Sequence, residues 1–246
     1  MKGASINRVY LTVQAVCNSN NRGYPTVSQF NQFAVDAQQE EFQEQLASFD
    51  QELRKQRLFT SHSKGAYDSI QQIRDTLSPL LRVSTSLTGS SNVMDLPDNL
   101  AYTLDFEVSG RTATIVPPDK ARSRINSFLG APTDARPIVI VDGTTATFYP
   151  STLTTADELA ITYYKYPQGT NPISGAASTS NPTWAYNTVN SVAVYSAANS
   201  VDFELPKSLE YRLAQRILSY VGINMREPEI EQFAQLKEQE ETINTQ

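Results

Sequence analysis

The chain has 246 residues, 39% of them hydrophobic, with 12 Tyr and 10 Phe, which is enough for a folded globular protein with a real core in one large or two modest domains. Its 20 basic and 26 acidic residues leave a formal charge of -6, so net charge supplies no grip on nucleic acid. Cys17 and His62 are the only residues of their types, which excludes an internal disulfide and multi-cysteine metal sites and removes most zinc and histidine-based catalytic arrangements.

In chain order, Ile6, Val9, Tyr10, Val13 and Val16 recur at helical spacing behind Ser5, a residue suited to an N-cap, and predict a short amphipathic helix. The same stretch, INRVYLTVQAVC, is interrupted by Arg8 and Gln14 and is too polar for a signal-peptide core. No apolar run approaches the roughly 20 residues of a membrane span. The expectation is a soluble protein of a reducing compartment, with no export signal and no membrane partner.

NSNNRGYP breaks the first helix. Thr26 and Gln29 stand at capping-box spacing, and Phe30, Phe33, Ala34, Ala37, Phe42, Leu46, Phe49 and Leu53 mark a helix of about eight turns. A third helix carries Ala66, Ile70, Ile73 and Leu77 on one face and ends near Pro79.

The small, polar stretch RVSTSLTGSSNVMDLPDN follows, and after it the period changes from 3.6 to 2. Leu100, Tyr102, Leu104, Phe106 and Val108 alternate with smaller or polar residues, and Ser109-Gly110 can turn that strand into RTATIV. PIVIVDGTTATFYP reads as a hairpin with Asp-Gly at its tip, and DELAITYYKYP as a further strand. Between them DKARSRINSFLG predicts a short helix, with Asp119 near its start and Gly130 near its end. Residues 167–183, rich in Pro, Gly, Ser and Asn, are long for a hairpin connection and are expected to form a mobile loop or an arm ordered by a partner. Residues 184–203 regain some β character.

LPKSLEYRLAQRILSYVG predicts a helix with Pro206 in its first turn and a buried stripe of Leu209, Leu213, Ile217, Tyr220 and Val221, closed by Gly222-Ile223 in a Schellman pattern. A second helix is expected from Pro228, with Glu227, Glu229 and Glu231 at its positive end. It has six Glu against one Lys from Glu227 on, and only Ile230, Phe233, Leu236 and Ile243 as large apolar residues. So sparse a stripe cannot anchor a core and an isolated helix of that length is marginal in water, so it is either a frayed tail or, as expected here, an arm that orders against a partner. The predicted class is therefore α+β, with N- and C-terminal helices forming a helical bundle and a central antiparallel β domain inserted between them. The predicted division is a helical module over 1–82, a β domain over 83–203 with a flexible loop at 167–183, and a helix plus docking arm over 204–246.

Little in the chain points to catalysis. Twenty-six carboxylates could conceal a glycosidase pair, but no two stand in an unusual apolar context and solvated surface charge is the simpler account. His62 falls in the polar loop FTSHSKG, Cys17 continues the apolar face of the first helix, and the glycines form no phosphate-binding loop. No catalytic residue, metal ligand or cofactor is expected. Tyr163, Tyr164, Tyr166 and Trp184 could form a carbohydrate-stacking platform, but packing of a sheet face or a subunit interface accounts for them more simply. The candidate interface residues are Tyr164, Tyr166 and Trp184, together with Ile230, Phe233 and Leu236 as apolar anchors and Glu231 and Glu238 on the acidic face of the arm.

In the order of its parts the chain resembles the head-to-tail connector, or adaptor, ring proteins of short-tailed bacteriophages, especially the crAss-like phages. NNRGYPTVSQFNQFAVDAQQEEF, GAPTDARPIVIVDGTTATFYP, LAITYYKYP, Trp184 and DFELPKSLEYRLAQRILSYVGINMREPEIEQFAQLKEQEE carry the likeness, a pattern of turns, Pro, Tyr and helix ends. The resemblance implies a non-enzymatic virion protein: a homo-oligomeric, dodecameric ring at the head-tail junction, assembled in the host cytoplasm. Its partners would be the portal and adjacent ring or tail proteins, and double-stranded DNA would pass through its lumen without sequence-specific binding. An acidic balance suits such passage. The larger β domain and long polar loop depart from smaller adaptors. The alternative is a carbohydrate-binding or receptor-recognition structural protein of the tail, which would leave both helical ends without a purpose.

Overall fold

The fold is that of a computed structural model, which describes residues 3–19, 25–58, 64–128, 130–154 and 158–225. The chain divides into two compact units: one is Leu80–Tyr166, and the other takes in the described residues before and after it.

The helix α1 (Ile6–Ser19) buries Ile6, Val9, Val13 and Cys17. Ser5 gives its carbonyl to the Val9 amide at 3.1 Å, but the side chain that caps the helix is remote: the Ile6 amide donates to Asp202 Oδ1 at 2.8 Å. The long α2 (Val27–Leu58) opens on a closed capping box. The Gln29 amide donates to Thr26 Oγ1 at 3.3 Å, and the Thr26 amide donates to Gln29 Oε1 at 2.9 Å. Phe30, Ala34, Ala37, Phe42 and Phe49 are its buried apolar face. In α3 (Lys64–Leu77), Ile70 and Leu77 are buried and the Arg74 guanidinium stands 5.9 Å from the centre of the Phe49 ring.

The unit Leu80–Tyr166 contains β1 (Leu81–Ser86), β2 (Thr88–Ser90), β3 (Val93–Asp95), β4 (Leu100–Val108), β5 (Arg111–Ile115), α4 (Pro118–Ile125), β6 (Ile138–Asp142), β7 (Thr145–Tyr149) and β8 (Leu159–Lys165). The strands form one sheet in the order β1-β8-β4-β5-β6-β7-β3-β2. Its two edge strands, β1 and β2, are separated in sequence by Leu87 alone. In a flat sheet of eight strands those edges would lie roughly 33 Å apart, whereas one residue spans about 3.5 Å. The sheet therefore curls until its edges nearly meet. Leu87 points into the space it encloses, with Met94, Phe106, Val139, Ala146, Phe148, Leu159 and Ile161. Phe106 and Phe148 meet edge to face there, with ring centres 5.7 Å apart, and burying each contributes about 1.5–3 kcal/mol.

Turn chemistry fixes the hairpins. Ser109 and Gly110 have φ of 47° and 74°, the left-handed pair that joins β4 to β5 in a tight turn. Between β6 and β7, Gly143 has φ of 56° and follows Asp142, the last paired residue. One pair breaks the antiparallel pattern: β5 and β6 run parallel, through Thr114–Ile138 and Ile115–Val139. Parallel neighbours need a crossover, and α4 supplies it by seating Ala121 and Ile125 against Val116, Ile138, Ile140 and Tyr149.

The remaining elements are β9 (Gly169–Thr170), β10 (Ala177–Ser178), β11 (Tyr186–Val189), β12 (Val192–Tyr195), β13 (Asp202–Phe203) and α5 (Glu210–Met225). The strands β10-β9-β13 form a small sheet, and β11-β12 is a separate hairpin. The N-terminal residues join this region, since the Ala4 amide donates to the Leu205 carbonyl at 2.8 Å and the Phe203 amide to the Ala4 carbonyl at 3.2 Å. The approach is close enough that a Cβ on Gly3 would stand 1.8 Å from the Phe203 carbonyl oxygen. Leu213, Ala214, Ile217, Leu218 and Val221 of α5 are buried.

The expected fold class is corrected by this arrangement. The fold is mixed α/β, dominated by the curled eight-stranded sheet, and the terminal helices do not form a bundle around an inserted domain. They share their unit with five strands, because residues 167–203 bond to the N-terminal segment and to α2. The central sheet is not purely antiparallel either. Residues 167–183, expected as a mobile loop, are tied to their own chain: Gln38 Nε2 donates to the Gln168 carbonyl at 2.7 Å, the Gln168 amide to Glu204 Oε2 at 2.8 Å, and the Glu204 amide to Gln38 Oε1 at 3.0 Å. This closed cycle satisfies two nearly inaccessible side chains, Gln38 and Glu204, without a partner. Finally, α5 does not stop at Gly222. That glycine is buried within the helix, which runs on to Met225.

Candidate functional site

The densest polar cluster lies where α2 meets α5. On α2, Glu40, Glu41 and Glu44 share a face; on α5, Arg212, Arg216 and Tyr220 recur every four residues and do the same. Arg216 Nε donates to Glu41 Oε2 at 2.9 Å, its Nη1 lies 3.3 Å from Glu40 Oε1, and its Nη2 pairs with Glu44. Arg212 Nη2 donates to Glu44 Oε1 at 2.7 Å, and its Nε lies 3.5 Å from Glu41 Oε1. Gln45 Nε2 donates to that same Glu41 oxygen at 2.9 Å, and the Tyr220 hydroxyl bonds to Glu40. Glu41 has no exposed side-chain surface and Arg216 has 9%.

Burial works against the charge on Arg216, but its hydrogen bond to Glu41 and the charges of Glu41, Glu44 and Glu40 together raise its pKa above the ordinary arginine value. Burial first, then the hydrogen bond to Glu40 and the charge of that carboxylate, push the Tyr220 hydroxyl above the usual tyrosine value. Every charged group here has a partner of opposite sign, three carboxylates against two guanidiniums, and the seam fixes the register of α2 on α5.

A polar cleft of about 280 Å³ lies among Gly3, Ser5, Arg8, Thr170, Asp202 and Glu210. Asp202, Thr170 and Glu210 in it are engaged in holding the fold. Asp202 caps α1, Thr170 Oγ1 donates to the Phe203 carbonyl at 3.0 Å, and Glu210 stands 3.5 Å from Arg8. Among the described residues no three of His, Cys, Asp and Glu come together as a metal site. The thiol of Cys17 is buried, which raises its pKa and makes it a poor nucleophile. His62 lies outside the described residues.

The residues singled out from the sequence fall in different places. Trp184 is 6% exposed and stacks on Tyr10, ring centres 4.0 Å apart and planes at 21°. Its indole Nε1 donates to Asn7 Oδ1 at 3.0 Å, and its backbone is held by Asn31, which accepts from the Trp184 amide at 2.8 Å and donates to the Trp184 carbonyl at 3.1 Å. Tyr164 is buried in β8, and Tyr163 beside it donates its hydroxyl to Asn99 Oδ1 at 3.0 Å. Trp184 and Tyr164 are covered by their own chain, and Tyr166, 42% exposed, presents surface. Ile230, Glu231, Phe233, Leu236 and Glu238 lie outside the described residues.

Two exposed surfaces were not legible in the sequence. The first is the hairpin β11-β12. Register pairs Asn187 with Val194 and Val189 with Val192, which sets Val189, Val192 and Val194 on one face, all exposed. Its tip, Asn190-Ser191, has both φ values positive. No strand of the described chain pairs with either outer edge. The second surface is the flank of α4 that carries exposed Lys120 and Arg124, with Arg122 exposed on the opposite flank and Phe128, just beyond the helix, 99% exposed.

No known protein family matches this chain, and no curated protein matches it. Among the described residues no helix is long and apolar enough to cross a membrane.

Proposed function

We propose that the chain is a subunit of a homo-oligomeric connector ring at the head-to-tail junction of a short-tailed phage, set below the portal, with the genome passing through its lumen. The observation that supports this beyond the resemblance is the β11-β12 hairpin. A lone two-stranded hairpin is marginally stable in water. This one also turns three valines to solvent, and among the described residues no strand pairs with either of its edges. Such a surface gains stability when a neighbour covers it, which repeating contacts around a ring would do. The net charge of -6 is compatible with DNA that slides through without sequence-specific contact.

Native mass spectrometry and electron microscopy of the full-length chain, alone and mixed with portal, provide the test. A closed ring of identical subunits, formed alone or on the portal, is expected. A monomer at every concentration and on every portal mixture would overturn the ring, and saturable glycan binding by that monomer would turn the assignment to receptor recognition.

A further inference from the structure

We infer that the flank of α4 that carries Lys120 and Arg124, with Phe128 just beyond it, seats the acidic segment beyond Met225 of a second copy of this chain. This rests on the ring assembly proposed above and names one of its contacts. The face is unusual in three respects. Phe128 is 99% exposed, although an aromatic ring of that size is ordinarily covered in large part. Lys120 and Arg124 are four residues apart on a helix and so share a flank, an arrangement of like charges that destabilises an isolated helix. Neither these two nor Arg122 forms an ion pair among the described residues, in a chain whose acidic residues outnumber its basic ones. Arg122 and Arg124 do favour the C-terminal end of α4 through its dipole, which explains their position along the helix but not the bare ring beside them.

The occupant must bring carboxylates and apolar groups together. The sequence from Glu227 to Ile243 has six Glu against Lys237, and Ile230, Phe233 and Leu236 fall three residues apart between the acidic clusters. Carboxylates on Lys120 and Arg124 would steer and orient the segment, while its apolar residues cover Phe128. Duplex DNA would satisfy the cations but, without unstacking a base, would leave Phe128 in water.

The test uses full-length protein. Unlabelled and 15N-labelled chains are mixed dilute, concentrated together, and coupled with a zero-length carbodiimide, which joins the Lys120 amine to a carboxylate in contact with it. Mixed-isotope links from Lys120 to Glu229, Glu231 or Glu238 are expected. Reversal of Lys120→Glu with Arg124→Glu, and separately Phe128→Ala, should each weaken self-association about tenfold or more without moving the melting temperature of the dilute, unassociated chain. Glu238→Arg with Glu241→Arg should restore association to the reversed chain. If rings form but Lys120 gives no such link and the reversal leaves association unchanged, the seat is overturned and the ring stands. Links within one isotope only would place the segment on its own copy and overturn the inference. Loss of DNA retention on reversal, with association intact, would make the face a nucleic-acid contact and overturn it as well. Absence of any ring, with or without portal, would overturn both this inference and the assembly it rests on.

Discussion

Arg212 and Arg216 on α5 face Glu40, Glu41 and Glu44 of α2 across a seam with no exposed surface at Glu41, whereas Lys120, Arg122 and Arg124 on α4 face solvent and meet no carboxylate among the described residues. Both sets are cations on one helix. They differ in what their own chain provides opposite them. In the seam, desolvation is offset by charge-assisted hydrogen bonds at fixed distances, so the unit carries its own counter-charges. On α4 the cations keep their hydration and contribute to folding only through the helix dipole, so they remain available to something outside the chain. Buried, matched charge serves the fold, and exposed, unmatched charge beside a bare ring serves an encounter.

Substitutions can break or sharpen this contrast. The largest effect is expected from Arg216→Leu, which leaves Glu41 inside the protein with Arg212 3.5 Å away and Gln45 as its remaining partners. Urea denaturation should show a loss of roughly 3–5 kcal/mol, and pairing the change with Glu41→Met should recover most of it, because an apolar pair removes the stranded charge. Full retention of stability by the single variant would show that water reaches the seam. Leu213→Ala, at a fully buried position on the same helix, should cost roughly 2–5 kcal/mol through lost transfer energy and a cavity. A cost well below 1 kcal/mol would mean that the charges, not the apolar stripe, hold α5.

A smaller effect belongs to Tyr220. Its folded pKa is raised above the unfolded one, so the stability it contributes is fully present below about pH 10 and is lost as pH climbs through the folded value. Tyr220→Phe should therefore show a shallower fall in stability above pH 10 than the parent, and identical slopes would place the hydroxyl outside the seam. The smallest expected change in stability is that of the α4 reversal, Lys120→Glu with Arg124→Glu, within about 0.5 kcal/mol by chemical denaturation of the unassociated chain. A larger loss would assign those cations to the fold and dissolve the contrast.

The sequence revealed local features and concealed those made by distant partners. The Thr26/Gln29 box, the Ser109-Gly110 turn, the Asp-Gly hairpin and the start of α4 were readable, because each depends on residues within a few positions of one another, whereas α4 ends at Ile125 and not near Gly130. The curl of the large sheet was not, since it depends on β1 pairing with β8 and β3 with β7, and a one-residue spacer at Leu87 announces neither. The two-residue strands β9, β10 and β13 are too short to show any period, so residues 167–183 read as a loop. Gly222 has the local signature of a helix stop, but it is buried and α5 continues through it. Trp184 was noticed for its type, yet only the positions of Tyr10, Asn7 and Asn31 show that it is interior. The exposed cations of α4 were visible in composition, whereas the exposure of Phe128 depends on where α4 lies over β5 and β6.

The bond from the Ile6 amide to Asp202 spans 196 positions of the chain and has a consequence for biosynthesis. On a ribosome adding about 5–20 residues per second, the first helix emerges on the order of 10–40 s before the carboxylate that caps it. Throughout that interval the valines and Cys17 of the nascent chain lack their covering strands and α5, while Leu80–Tyr166 has all of its strands in one continuous stretch and can fold as it appears. The order of completion during translation is thus Leu80–Tyr166 before the unit that α1 belongs to, and the segment most in need of a chaperone is the one made long before its partners.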